Sequence, residues 1–307
     1  MNYGVHGEKL TSTLANGKLP INDKARVQEA IQEYSLWIKN INDMFAEDIP
    51  ELIGKLVNEL NRYKMYIDVN LIFDSPDDFL YRQKGQLKLD NTVIEEFLPI
   101  LVKKCIEMNS CHWIWSIAPQ TATYSSVFFN TSLNSSAIGG GMTIKTKDQD
   151  FALTRKLYIR SSYNEEFSPD ETVTIATNLG FILAEMKTNL DKTMFQEASA
   201  TARDVKLAVT GAKYFLLCDY LDMTPISSAT TDIDEVLILR KAKRINSNVR
   251  AKYSTFQGRQ ASRAEYMNYL SKYPYAVDVF QRFINHILAL LSNETLVEED
   301  VLSLGHF

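Results

Sequence analysis

The chain has 307 residues and a mass of 35.0 kDa, room for one large domain or two modest ones, since single cores stop growing near ~250 to 300 residues. It is 45% hydrophobic, 23% charged and 11% aromatic, which excludes wholesale disorder, a collagen-like repeat and a coiled-coil rod. A net charge of -5 and a pI near 5.5 would, taken alone, argue against a nucleic-acid partner.

No stretch approaches the ~20 apolar residues of a membrane span. Residues 1–20 are polar, with no apolar stretch of the kind that marks a secretory signal, so a cytoplasmic location without membrane association is expected. Cys105, Cys111 and Cys218 form no CxxC spacing, and His6, His112, His286 and His306 lie far apart. Neither a structural zinc site nor a disulfide framework is expected.

Along residues 1–110 the pattern is helical. Val27, Ala30, Ile31, Tyr34, Ile38, Ile41 and Phe45 recur at three and four, and Leu52, Leu56, Leu60 and Tyr63 continue the stripe after Pro50. Residues 74–78 read as a turn, and residues 93–106 as a further helix that Pro99 kinks or breaks. From Cys111 the texture changes. Residues 113–143, rich in Ser, Thr, Asn, Gly and aromatics, read as loop or irregular β structure. Gly139-Gly140-Gly141 lacks the Lys-Ser/Thr of a phosphate-binding loop and reads as a plain turn. Residues 151–161 suit a strand.

Residues 168–220 carry the chemistry. Thr172 to Ile175 alternates polar and apolar, Phe181 to Lys187 is strand-like, and Thr177-Asn178-Leu179-Gly180 between them supplies turn residues. A β-hairpin is predicted, which would set Asp170 beside Glu185 and Lys187. Glu185 and Lys187, two apart, share one strand face while Met186 points to the other. Two carboxylates and a lysine are costly to bury, which favours a functional role, and hard oxygens suit Mg²⁺. The acid-x-lysine triplet occurs twice. The second, Asp204-Val205-Lys206, lies in a helical pattern where its charges diverge. Thr193 and Gln196 suggest a capping box opening that helix, with Gln196 and Glu197 in its first turn as supporting residues, the acid also suiting the helix dipole there. Residues 212–219 read as a buried strand, and residues 276–291 as an amphipathic core helix in which His286 is a packed or surface residue.

Residues 236–264 contain no acid but Arg240, Lys241, Lys243, Arg244, Arg250, Lys252, Arg259 and Arg263. This +8 leaves -13 on the rest of the chain, the -5 total less +8. Such a segment is a candidate phosphate-facing surface, or else a solvated helix face. Asn246, Asn248, Arg250, Gln257 and Arg259 are residue types able to read bases.

Pro169-Asp170 followed after fifteen residues by Glu185-Met186-Lys187 resembles the PD-(D/E)XK nuclease superfamily. Residues 184–198, 214–226 and 232–244 together are similar to the BbvCI-like group of type II restriction endonuclease subunits, over about residues 181–250. The resemblance implies an α/β (α+β) restriction-endonuclease-like core, with a central mixed β-sheet flanked by helices, at residues 111–250. A helical N-terminal region for recognition or dimerisation would occupy residues 1–110, and C-terminal helices residues 251–307. It implies Mg²⁺-dependent hydrolysis of double-stranded DNA to 5′-phosphate and 3′-hydroxyl ends, one strand per active site. A second subunit, different or identical, and a cognate methyltransferase are implied as well. Asp170, with Glu165 and Glu166 as alternatives, Glu185 and the Met186 carbonyl would hold the metal, and Lys187 would position the attacking water. Arg240, Lys241, Lys243, Arg244, Arg250, Lys252 and Arg259 would hold the DNA backbone. The competing readings are a repair or recombination nuclease on the same fold, a non-cutting DNA-binding subunit and a helical interaction protein.

Overall fold

A computed structural model describes residues 4–109, 115–134, 136–291, 302, 303 and 305. Cys111, His112 and His306 lie outside the described residues. The N-terminal region is helical as its periodicity predicts: α1 (Val5–Leu14), α2 (Ile21–Asp43) and α3 (Ile49–Met65), then a π-helical stretch Tyr66–Phe73, α4 (Asp78–Gln83) and α5 (Thr92–Met108). Pro50 stands in the first turn of α3, where its missing N–H costs nothing, and Asp48 caps that turn through Glu51 N. Pro99 does not end α5. The helix runs through it, although Pro99 has no N–H to give the Glu95 carbonyl four residues back.

Five strands follow in spatial order β1-β2-β3-β4-β5: β1 (Ser116–Phe129), β2 (Met142–Ser162), β3 (Thr172–Leu190), β4 (Lys213–Leu221) and β5 (Glu235–Lys243). The first three are antiparallel and the last three parallel, giving a mixed sheet. The region read as loop or irregular β contains the 14-residue strand β1. Its triple glycine is the turn into β2, and all three glycines have left-handed φ of 57 to 68°. A Cβ on Gly139 would meet Ser161 O at 2.5 Å.

The predicted hairpin is absent. Residues 172–190 form a single strand, with the expected turn residues in its middle. The 21-residue β2 pairs with β3 from Thr172 to Ala184, straight through those residues, so pairing overrides local turn composition. Gly180 marks a bulge instead: the register slips by one residue between Leu153 and Thr154, opposite Ile182 and Gly180.

Helix α6 (Lys192–Ala208) crosses from β3 to β4, and α7 (Ser247–Lys252), α8 (Phe256–Lys272) and α9 (Val277–Leu291) follow β5. The cap of α6 is Asp191, which accepts from Met194 N at 2.9 Å, rather than Thr193. One sheet face, with Phe151, Ile182, Ala184, Met186, Phe215 and Leu217, shares a continuous core with α1 to α3, α5 and α9. The other face, with Ala152, Leu183, Tyr214, Leu216 and Cys218, packs on α6. As the periodicity of residues 276–291 predicts, α9 buries Phe280, Phe283, Ile284 and Ile287. His286 is a partly exposed partner of Glu235 at 2.8 Å. No helix among the described residues is long and apolar enough to cross a membrane.

Candidate active site

Strands β2 and β3 stop pairing after Phe151 and Ala184. Asp150 and Glu185 are the next residues on each strand, and their charges stand where the ladder opens. The Met186 N–H, which regular pairing would direct to β2 backbone, donates instead to Asp150 Oδ2 at 2.7 Å. Alternation puts Ala184 and Met186 into the helical core and turns Glu185 and Lys187 to the other face. Lys187 Nζ lies 2.6 Å from Glu185 Oε1. The second Glu185 oxygen accepts from the buried Tyr214 hydroxyl at 2.8 Å.

A third carboxylate arrives from α5. The Glu95 side chain is fully buried and accepts from Asn91 Nδ2 at 3.1 Å and from Gln120 Nε2 at 3.0 Å. The same Asn91 amide reaches the Met186 carbonyl at 3.5 Å. Gln120, between the paired residues Pro119 and Thr121, has φ of 46°, a left-handed backbone that costs a non-glycine residue about 1 kcal/mol or more.

These charges perturb one another. Burial pushes the Asp150 carboxyl up to about 6; the Met186 N–H opposes the rise, Glu95 and Glu185 add to it, and Lys187 offsets part. Burial also works against the Lys187 ammonium, but its contact with Glu185 and the charges of Asp150 and Glu197 outweigh that and hold it above its ordinary value. The Tyr214 hydroxyl is driven upward by burial first and the Glu185 charge second, so it stays protonated and donating.

Three carboxylates facing one lysine make a site short of positive charge. Asp150, Glu185 and the Met186 carbonyl are hard oxygen donors, and Mg²⁺ characteristically takes one or two carboxylates while keeping several waters. Among the described residues no group of three or more His, Cys, Asp or Glu is placed to hold a metal ion by itself.

Asp170 does not join this site. It is exposed in a one-turn helix, Pro169–Glu171, before β3. With no hairpin to fold it back, the strand from Thr172 to Glu185 separates it from the site, roughly 43 Å at ~3.3 Å per residue. Glu165 and Glu166 are exposed in the same distant connection. Asp150 holds the position read for Asp170. Because α6 begins at Lys192, Gln196 and Glu197 stand in its second turn rather than its first; both are exposed, and Glu197 acts on Lys187 through its charge. Sequence reasoning missed Glu95, Gln120 and Asp150. The one available signal was Asp150, the acid heading the apolar run 151–153.

The profile of the Bpu10I restriction endonuclease family matches residues 86–307, from before α5 to the C-terminus. The chain belongs to that family. It is therefore a type II restriction endonuclease subunit, a site-specific deoxyribonuclease. Among solved structures, a chain of the native BbvCI A2B2 tetramer aligns with a TM-score of 0.52 at 17% identity, over 87% of this chain and 96% of that one. At that identity the likeness is one of fold. No curated protein matches.

In this restriction endonuclease the basic segment divides by burial. Arg240 is 4% exposed, lies 3.5 Å from Asp68 and 4.0 Å from Asp219, and its guanidinium sits 4.1 Å from the centre of the Tyr275 ring. Arg259 is wholly buried and donates to the carbonyls of Phe73, Ser75 and Tyr253 and to Asp78. Neither can reach a DNA backbone; both hold the C-terminal elements to the N-terminal helices. Lys241 is paired with Asp278 at the surface. Lys243 and Lys252 are exposed, and Arg244 and Arg250 line a cleft beside the end of β3.

Proposed function

We propose that this subunit hydrolyses one strand of double-stranded DNA per active site in a Mg²⁺-dependent reaction, leaving 5′-phosphate and 3′-hydroxyl ends. The observation that carries the reading is the meeting of Asp150 with Glu185 and Lys187 where β2 and β3 part. Asp150, Glu185 and the Met186 carbonyl would hold the ion, with Glu95 behind them. The bound ion would polarise the scissile phosphate and lower the pKa of water.

The chain's own groups do the rest. Lys187, held protonated, donates to the attacking water and offsets charge building on the phosphate oxygens. Tyr214 fixes the Glu185 carboxylate so that its free lone pairs face the site. Asp150 takes the Met186 N–H that β2 leaves unpaired, and the Asn91 amide reaches the Met186 carbonyl and steadies it. The enzyme would act in the cytoplasm, where foreign DNA arrives, with a cognate methyltransferase protecting host sites. The BbvCI assembly is a tetramer of two kinds of subunit. By that likeness the present chain would pair with a second subunit that cuts the opposite strand.

Supercoiled plasmid incubated with the purified chain in Mg²⁺ or EDTA tests this. Discrete Mg²⁺-dependent nicks, lost in Lys187→Ala, are expected. Cleavage that survives EDTA or the substitution would overturn the reading.

A further inference from the structure

Beside the catalytic residues lies a cleft of about 260 Å³. Its walls are aromatic: the Tyr81 and Tyr253 rings meet edge to face with centroids 6.5 Å apart, and Tyr253 and Tyr266 stand 5.7 Å apart. Its rim is basic. Lys84, Arg244 and Arg250 line it against a single carboxylate, Asp90, which lies 3.7 Å from Lys84. Arg244 is steadied by Asp222 at 2.7 Å, and Arg250 Nε donates to the Ile245 carbonyl at 2.9 Å, so both guanidiniums are oriented before any ligand arrives.

The cleft shares two chain segments with the nuclease site. Thr188 and Asn189, which line it, follow Lys187 directly on β3. Asp90, also in its wall, precedes Asn91, whose amide touches Glu95 and the Met186 carbonyl. The cleft thus opens at the end of the strand that carries Glu185 and Lys187.

We propose that the cleft is a nucleotide subsite, in which one nucleotide flanking the reacting phosphate leaves the helical stack, lays its base against the tyrosines and sets its phosphate between Arg244 and Arg250. This rests on the nuclease reading of the adjoining site. A recess of this size excludes a duplex but admits one base, and a base can enter only after extrusion from the stack. Stacking on an aromatic ring is worth about 1 to 3 kcal/mol per base and tolerates any base. Guanidiniums match phosphate oxygens in pairs. A surface that merely followed the duplex backbone would need only open cations such as Lys243 and Lys252, without a ring-lined recess between them.

The test titrates the full chain, in EDTA, with deoxycytidine monophosphate, deoxycytidine and inorganic phosphate, read by saturation-transfer NMR. The nucleotide is expected to bind at least tenfold more tightly than either fragment. Arg250→Gln should weaken it about tenfold, and Gly85→Phe should abolish it by filling the cleft. Gly85 lines the cleft, and a new Cβ there meets no atom within 4 Å, so the second variant should fold normally. Inorganic phosphate binding as tightly as the nucleotide would mean an anion site only, and unchanged affinity in Gly85→Phe would put the ligand elsewhere; either overturns the proposal. Plasmid nicking by the unsubstituted chain is followed in parallel. Nicking without nucleotide binding sinks the subsite alone, whereas nucleotide binding without nicking counts against the nuclease reading.

Discussion

Replacing Asp150 by Asn separates catalysis from stability. Asn keeps an oxygen to accept the Met186 N–H, so the local backbone should hold, but one of three negative charges at the site is lost. At an effective dielectric of about 20, a unit charge roughly 4 Å from its partner is worth ~4 kcal/mol. That corresponds to a fall in cleavage rate of about a thousandfold. Stability should move the other way. The folded-state pKa of Asp150 is raised from 3.8 to about 6, so its ionised form opposes folding, and this penalty is fully present above the folded pKa and vanishes as pH falls below the unfolded one. At pH 7 its removal should stabilise the fold by up to ~3 kcal/mol. Plasmid nicking in Mg²⁺ and urea unfolding in EDTA at pH 7 measure the two effects, with Asp170→Asn as the control expected to change neither. A fully active Asp150→Asn, or an inactive Asp170→Asn, would refute the assignment.

The division of the basic segment gives opposed outcomes. Arg259→Ala, which strands three buried carbonyls, should lower stability by about 3 kcal/mol or more. Lys243→Ala and Lys252→Ala should leave Tm unchanged and each flatten the salt dependence of DNA binding by about one ion. Burial and the Lys64 charge lower the His6 pKa from 6.5 to about 3, and its ring bonds Thr92 and Tyr63. Because the unfolded chain takes up the proton first, wild type should lose up to ~1.4 kcal/mol per pH unit below 6.5. In His6→Gln that component of the slope should be missing from urea titrations between pH 7 and 5; an identical slope would contradict it. Gln120→Gly relieves a left-handed backbone while removing a donor to Glu95. Tm should not fall, whereas the Mg²⁺ concentration for half-maximal nicking should rise several-fold.

The elements of this protein were legible wherever a local period or a local stop signal set them. The stripes of α2 and α3, the break at Pro50, the buried strand β4 and the amphipathic α9 each follow from residues a turn or two apart. Glu185 and Lys187 were legible for the same reason: two-residue alternation puts them on one face whatever the strand pairs with. Pairing over long separations was not. Turn-like residues at 177–180 outweighed strand character locally, yet β2 pairs with β3 from Thr172 to Ala184, straight through them, and the lost hairpin took Asp170 with it. Asp150 reaches the site only because β2 and β3 diverge where positions 150 and 185, far apart in sequence, lie side by side. Glu95 reaches it only because α5 packs on the same sheet. Arg240 and Arg259 look in sequence like any other surface cations. Only the tertiary structure surrounds them with carbonyls, carboxylates and rings that make burial of a charge tolerable.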